Sequence, residues 1–527
     1  MIPVPNGQLT NKEGWGAQPL VRWMNEVGKS IQTLILGEFI NVKNYGANGD
    51  GTTDDTAAIN RAIDAANAAT NPQVLWFPPG SYYVPAGGLT AITKAGTIVR
   101  GAGPNATTIL GTSGAMFTFG AGSQIDGAGI EEMSLRYTGT TVTAVCFYLF
   151  NVARIRISNI RVQDAGTVIK MGSYGATTAT GIEVSGLTGW VANIAVPAFD
   201  FQAGSGFFLT NTQLFVNTSL TTFPTAPATV NGRHVFSFVH SWDTVKVDNS
   251  LFLLFDVGFN IAPATAGDSV FGVWATNTTI DGNKRWACYF GPAAGCFASS
   301  MDFAGCYLTS YSEDGLIFTG AGFTGAVTFT GGRIFQCYKH GVNVTTSNAR
   351  HLIFNGVEVY AVNGAASTYD GFSFAAGTGR FVIDGCKIGW NTTFLLGVNY
   401  PPRYAFDLGA DCDFYTITGN TTNGSTANFN VAANATASSQ RRISGNMPNP
   451  YQGRQTGGVY TLPASTVAWQ NTTPFPVEVT FAGGTVTGIS KNGTATGLTS
   501  GTFSFEPADS FVVTYTVAPT TNFWVLN

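Results

Sequence analysis

A short pattern recurs through the middle of this chain and limits its fold more than any other feature. The segments VDNSLF (247–252), TNTTID (276–281), AGCYLT (304–309), TGGRIF (330–335), NGVEVY (355–360), DGCKIG (384–389), TGNTTN (418–423) and SGNMPN (444–449) align on their second residues. Those residues, at 248, 277, 305, 331, 356, 385, 419 and 445, are Asp, Asn or Gly and lie 29, 28, 26, 25, 29, 34 and 26 apart. A further apolar strand follows in most repeats, opened by Gly258, Gly315, Gly341 and Gly371 in GFNI, GLIF, GVNV and GFSF. Each unit reads as a β-turn-β coil of about 25–30 residues whose apolar side chains alternate inward. No coil can bury its apolar face alone, so neighbours must stack, at about the 4.8 Å strand spacing of a sheet. ISNIRVQDAGTVIKM (157–171) fits the same pattern less cleanly.

Composition agrees with one long β architecture. Of 527 residues only 11% are charged, while 65 are Gly. A surface with so few charges must be covered by Thr, Ser and Asn, the residues of strands and tight turns. The net charge is -4 and the basic residues are dispersed, which argues against a nucleic-acid partner. A hydroxyl- and amide-rich face suits a carbohydrate better. No apolar run approaches the about 20 residues of a membrane span, so no membrane insertion is expected. MIPVPNGQLTNKEG lacks the basic and apolar regions of a signal peptide. The seven cysteines are odd in number and show no CxxC spacing, as expected of buried thiols made in a reducing cytosol.

Three regions follow, 1–38, 39–449 and 450–527. In the first, Leu20, Met24, Val27, Ile31 and Leu34 step by four, three, four, three. That is a coiled-coil seam, too short to hold helices together alone, and it predicts a short parallel coiled coil joining three copies of the chain. In the second, Ala57 to Ala69 reads as a helix with Ala58, Ile59, Ala62, Ile63 and Ala66 on one face and Asp54 or Thr53 at its start. Such a helix can plug the open apolar end of the stack. Asn48, Asp50 and Asp54 have the look of a calcium loop, but Ile59 stands where an EF-hand needs Glu. Turn geometry accounts for them, and no metal or other cofactor is expected. The third region alternates (PVEVTF, SFEPADSFVVTYTV) around Gly483-Gly484 and Asn492-Gly493 turns. It predicts a small β-sandwich or a trimer-forming β cap over the last rung.

Candidate chemistry emerges when the repeats are aligned on the Gly that opens the later strand. Two positions before it the file reads Asp256, Arg285, Glu313, Lys339, and one position before it Trp286, Asp314, His340, Asp370. Alternating charge one strand spacing apart makes salt ladders, each contact worth about 0–1 kcal/mol. The same edge can be a glycan site, because charge is scarce elsewhere. Glu313 and Asp256 would stand two rungs apart, about 9–10 Å, at the upper edge of an inverting glycosidase pair. Glu313, Asp256 and Asp314 are thus the catalytic candidates. Trp242, Trp274, Trp286, Tyr307, Tyr311 and Tyr338, with Arg285, Lys339 and His340, are the sugar-binding ones. Strand alternation will turn some of these aromatics inward. His240-Ser241-Trp242-Asp243 has the residue types of a triad, but neighbours on a strand face opposite sides. No HExxH, P-loop or zinc spacing occurs.

GDGTTDDTAAI and FPPGSYYV, within Phe39–Val84, resemble the entry motif of pectate-lyase-like β-helices found in bacteriophage tailspikes and polysaccharide-cleaving enzymes. PNGQLTNKEGWGAQPLVRWMNEV is similar to the N-terminal adaptor of phage tail proteins, and WQNTTPFPVEVTFAGGTVTGISKNG to their C-terminal domains. The resemblance implies an all-β chain: a right-handed parallel β-helix over Phe39 to about Met447, with a helical adaptor, a sandwich-like end and a homotrimeric state. It further implies a virion tail protein that binds host surface polysaccharide and attaches to other tail or baseplate proteins through 1–38. A depolymerase on the same scaffold and a purely structural spike are the alternatives. Family members place their catalytic carboxylates differently, so no catalytic residue carries over by motif.

Overall fold

The structure is a computed structural model that describes residues 39–85, 88–139, 141–217, 232–360, 368–389, 401–424, 426–432, 438, 440–447, 455–456 and 462–525. The heptad residues Leu20, Met24, Val27, Ile31 and Leu34 lie outside them. The fold is a right-handed parallel β-helix. The chain divides into two compact units, residues 1–172 with 177–189, and 173–176 with 190–527.

In the first unit, helix α1 (Thr56–Ala68) buries Ala58, Ile59, Ala62, Ile63 and Ala66 against the strands Phe39–Asn41 and Val74–Phe77. Its start differs from the expected cap. Asp55 is the N-cap residue, but its carboxylate accepts the N–H groups of Asn48 (2.6 Å) and Gly49 (3.1 Å), pinning the preceding loop. Asp54 accepts the Thr56 N–H instead, at 2.9 Å. Asp50 accepts both N–H groups and both hydroxyls of Thr52 and Thr53. Loop 88–94 is clipped to the helix by Asn60, which accepts from Thr90 N–H, and by Asn67, which accepts from Thr93 N–H. Beyond the helix, strands Val74–Phe77, Ile98–Gly101 and Gly129–Tyr137 pair in parallel succession.

In the second unit each coil has three strands rather than two. A long strand forms the first face, a short one the second and another the third, as in Ser269–Thr276, Thr279–Asp281 and Trp286–Phe290. Every face pairs in parallel with its equivalent in the next rung. The repeating Gly/Asn is the corner between the first two faces. Asn211, Asn249, Asn277, Gly305, Gly331, Gly356, Gly385, Gly419 and Gly445 all have left-handed backbones, with φ between 47° and 66°. This conformation suits Gly and Asn and penalises other side chains. At the 247–252 repeat the corner is therefore Asn249, one residue beyond Asp248. The Gly before the third face has a different cause. A Cβ on Gly258, Gly315 or Gly371 would stand 2.6, 2.6 or 2.4 Å from Cγ2 of Ile280, Ile334 or Ile388.

The core between the faces is a stack of rungs in side chains as well as backbone. Phe303, Phe329 and Phe354 lie face to face at 4.7 and 5.2 Å, and Phe290 and Phe318 at 4.5 Å. All seven cysteines are buried free thiols. Residues 455–525 contribute two antiparallel four-stranded sheets around Val477, Val479, Phe481, Phe505 and Phe511. They meet the last rungs directly. Ile443 donates its N–H to Pro474 O (2.7 Å), and the Phe475 ring meets Phe429 edge-on.

Candidate functional site at the corner of the second and third faces

The pairings Val257↔Trp286, Cys288↔Leu316, Leu316↔Val342 and Val342↔Phe372 fix the register of the corner before the third face. They place Asp256, Arg285, Glu313 and Lys339 in one file and Trp286, Asp314, His340 and Asp370 in the next. The side chains do not form two simple charge ladders. In the first file only Glu313 and Lys339 pair, Oε2 to Nζ at 2.5 Å, and both remain partly exposed. Asp256 is buried, and its carboxylate accepts the backbone N–H of Arg233 at 2.9 Å, toward the preceding rung. It is thus turned away from Glu313, and the two cannot flank a substrate bond. Arg285 has no carboxylate partner among the described residues. Its guanidinium lies 4.1 Å from the Trp286 ring, which in turn packs on Tyr289 at 4.8 Å.

In the second file, backbone groups intervene between the charges. Asp314 is buried and accepts the His340 N–H (3.0 Å) and an Asn343 side-chain N–H (3.1 Å). Burial outweighs those bonds and pushes its carboxyl up to about 6. The His340 imidazole accepts the Asp370 N–H at Nδ1 (3.0 Å), which requires the neutral ring. Burial and the Arg403 charge lower it to about 4. Asp370, fully buried, takes a two-pronged bond from Arg403 (2.9 and 2.8 Å), whose guanidinium also reaches Asp407 at 3.1 Å. The corner therefore offers a Glu–Lys pair, a carboxyl that protonates near neutral pH, a neutral imidazole and an Arg-centred acidic pair along successive rungs.

Several candidates from the sequence stand elsewhere. Trp242 is in the core against Phe201, at 4.8 Å. Trp274 belongs to the first face, where Lys246 lies over it at 5.8 Å. Tyr307 sits on the second face beside Phe335. Tyr311 lies just past that face, its hydroxyl 3.4 Å from Asp281. Tyr338, half-buried, stays at the corner with its N–H on Ser310 O. His240 and Ser241 are in a corner rather than a strand, so both reach Asp268, at 3.2 and 2.9 Å. Ser241 is bonded to the carboxylate and not to the imidazole, and Tyr174 stacks on His240 at 3.8 Å. Asn343, Arg403 and Asp407 escaped the sequence reading. Asn343 needed only the file extended into the strand. Arg403 and Asp407 follow the long segment after Gly389, where the repeat spacing breaks down.

Residues 39–185, less than half of the chain, match the family model "Rhamnogalacturonase A/epimerase, pectate lyase-like". A probable glucan endo-1,3-beta-glucosidase of Arthroderma benhamiae is 48% identical over 97 residues, 16% of this chain and 10% of that protein. Mannuronan C5-epimerase AlgE3 of Azotobacter vinelandii is 47% identical over 74 residues, 13% of this chain and 4% of that protein. The chain spans a tenth or less of the length of such relatives. Among solved structures, a tailspike protein variant of E. coli bacteriophage HK620 superposes over 94% of both chains, with TM-score 0.53 and 11% identity. Residues 39–185 are thus similar to the pectate-lyase-like model, and the fold, a right-handed parallel β-helix, is one that the HK620 tailspike shares.

Proposed function

We propose that this protein is a receptor-binding phage tailspike that holds host surface polysaccharide along the corner between the second and third faces. One observation carries the reading. In a chain with 11% charged residues, Glu313, Lys339, His340, Arg403 and Asp407 gather on one partly exposed edge beside the Arg285–Trp286 plane. A row of donors, acceptors and aromatic surface repeated at strand spacing suits a repeating hydroxyl-rich polymer. The polysaccharide-acting names of the relatives and the tailspike architecture support it. In this reading residues 1–38 join three copies and attach them to other tail proteins, which places the protein in the virion tail. Purified protein applied to a panel of bacterial surface polysaccharides should bind at least one, and Lys339→Ala should weaken that binding about tenfold or more. No binding to any of them by the folded protein, or full binding by the variant, would sink the proposal.

A depolymerase reading is favoured by one specific feature, the Asp314 carboxyl at about 6 beside the partly exposed Glu313. With Asp256 buried away, the acid–base pair would have to be Glu313 and Asp314. Incubation with the bound polysaccharide should then release new reducing or unsaturated ends, and Glu313→Gln should abolish the release. Absence of any product on a polysaccharide that binds would leave a binder without catalysis.

A further inference from the structure

A second concentration of charge and aromatic surface lies on the first face of the second unit. Each long strand there breaks at one left-handed residue, and the break keeps register through eight rungs. The residues are Gly206, Thr244, Gly272, Ser300, Ala326, His351, Arg380 and Phe414, with φ of 50–71°. Six are not glycine, and backbones of this kind collect where structure serves a site. The last three present exposed His, Arg and Phe side chains. The neighbouring file reads Gly325, Arg350, Gly379, Asp413, so two glycines leave Arg350 bare on both sides. On the Gly379 side of Arg350 opens a hollow of about 200 Å³, lined by Arg350, Gly377, Gly379, Arg380, Asp413 and Phe414.

The charges in this hollow do not balance. The Arg380 guanidinium sits 5.7 Å from the Phe414 ring, with Nη1 3.5 Å from His351 Nε2. Arg350 spends its Nε–H on Ser347 O. Neither guanidinium has a carboxylate partner among the described residues, and the undescribed stretches between 361 and 461 contain no Asp or Glu. Asp413 is already engaged. It accepts from Ser438 (2.9 Å) and from the Phe414 N–H (2.8 Å), and it lies 3.3 Å from the buried Arg441. Two uncompensated guanidinium forks therefore face an open hollow with an aromatic lip, in a chain whose net charge is -4.

We propose that this hollow is a subsite for one anionic sugar unit, its carboxylate or phosphate held by Arg350 and Arg380 and its ring laid on Phe414. Guanidinium forks match planar and tetrahedral oxyanions in two-pronged geometry, and a neutral sugar would leave both forks without a counter-charge. The inference rests on the polysaccharide-binding reading and narrows it to acidic glycans.

Calorimetric titration of the full chain with trigalacturonate, glucose 6-phosphate and maltotriose tests it. At least one anionic probe should bind and maltotriose should not, and raising salt from about 0.01 M to about 1 M should weaken binding about tenfold or more. Which anionic probe binds tells carboxylate from phosphate. The double variant Arg350→Gln/Arg380→Gln should lose at least about tenfold with unchanged melting temperature, while Lys387→Gln, on the second face, should lose nothing. Failure of both anionic probes to bind the folded protein, equal binding of maltotriose, or full affinity in the double variant would overturn the subsite. A surface polysaccharide bound equally by the wild type and the double variant would refute the subsite alone. Anionic probes bound here without any polysaccharide bound would refute the wider reading alone.

Discussion

Asp314 and His340 touch through one backbone hydrogen bond, yet they couple folding to pH in opposite directions. Asp314 holds its proton more tightly folded (about 6) than unfolded (3.8). Its stabilising contribution is therefore present below pH 3.8 and is lost as pH rises through about 6. His340 is kept neutral by the fold (about 4, against 6.5). Its contribution is present above pH 6.5 and is lost as pH falls through about 4. Each is worth about 3 kcal/mol, so the two nearly cancel over that window. Asp314→Asn should leave His340 unopposed, and the melting temperature should drop on acidification from pH 6.5 to 4. His340→Gln should shift the slope the opposite way relative to the wild type, with His234, lowered to about 4 by burial, still opposing Asp314. Parallel melting curves for both variants and the wild type would contradict the assignment. The sequence showed that these two residues share a file, because strand spacing dictates it. It did not show that main-chain N–H groups come between the charges, since a corner's backbone direction leaves no mark in residue type.

At the scale of strands and corners, two glycine-bearing positions act by different physics and separate under mutation. At Gly315 an added Cβ would meet Cys337 Sγ and Ile334 Cγ2, both at 2.6 Å. Gly315→Ala should therefore overpack the core and destabilise by about 1–3 kcal/mol. At Asn277 the difficulty is φ of 47° alone, so Asn277→Gly should be neutral or better and Asn277→Ala should lose about 1 kcal/mol. Chemical denaturation of the three variants checks this, and equal losses for Gly315→Ala and Asn277→Gly would contradict it. The corner glycines were legible in the sequence because left-handed backbone selects so few residue types. The three-strand coil was less so, since the long and short strands run together through a corner of one or two residues. Charge alternation also misled at Asp256 and Arg285, where a carboxylate took a backbone N–H and a guanidinium took an aromatic face. Trp242 shows the remaining limit, because in a corner-rich chain the inside–outside parity of one aromatic depends on the turn before it.

For the whole molecule, a solenoid of this kind is stable where its ends are covered. Helix α1 covers one end of the first unit, and residues 462–525 meet the last rungs of the second. The heptad of Leu20, Met24, Val27, Ile31 and Leu34 is proposed to join three chains. Light scattering of the full chain should give about three times 55.4 kDa, and Val27→Asp with Ile31→Asp should reduce it toward one. A wild type that runs as a monomer would remove the trimer from the account. Polysaccharide is proposed to lie along the corner of the second and third faces. Hydrogen exchange of the intact protein, with and without a saturating polysaccharide chosen by binding, tests this placement most directly. Protection concentrated in 309–315, 335–343, 368–371 and 401–408 is the predicted result. Protection confined to other segments, with these corners exchanging at the same rate bound and free, would contradict it.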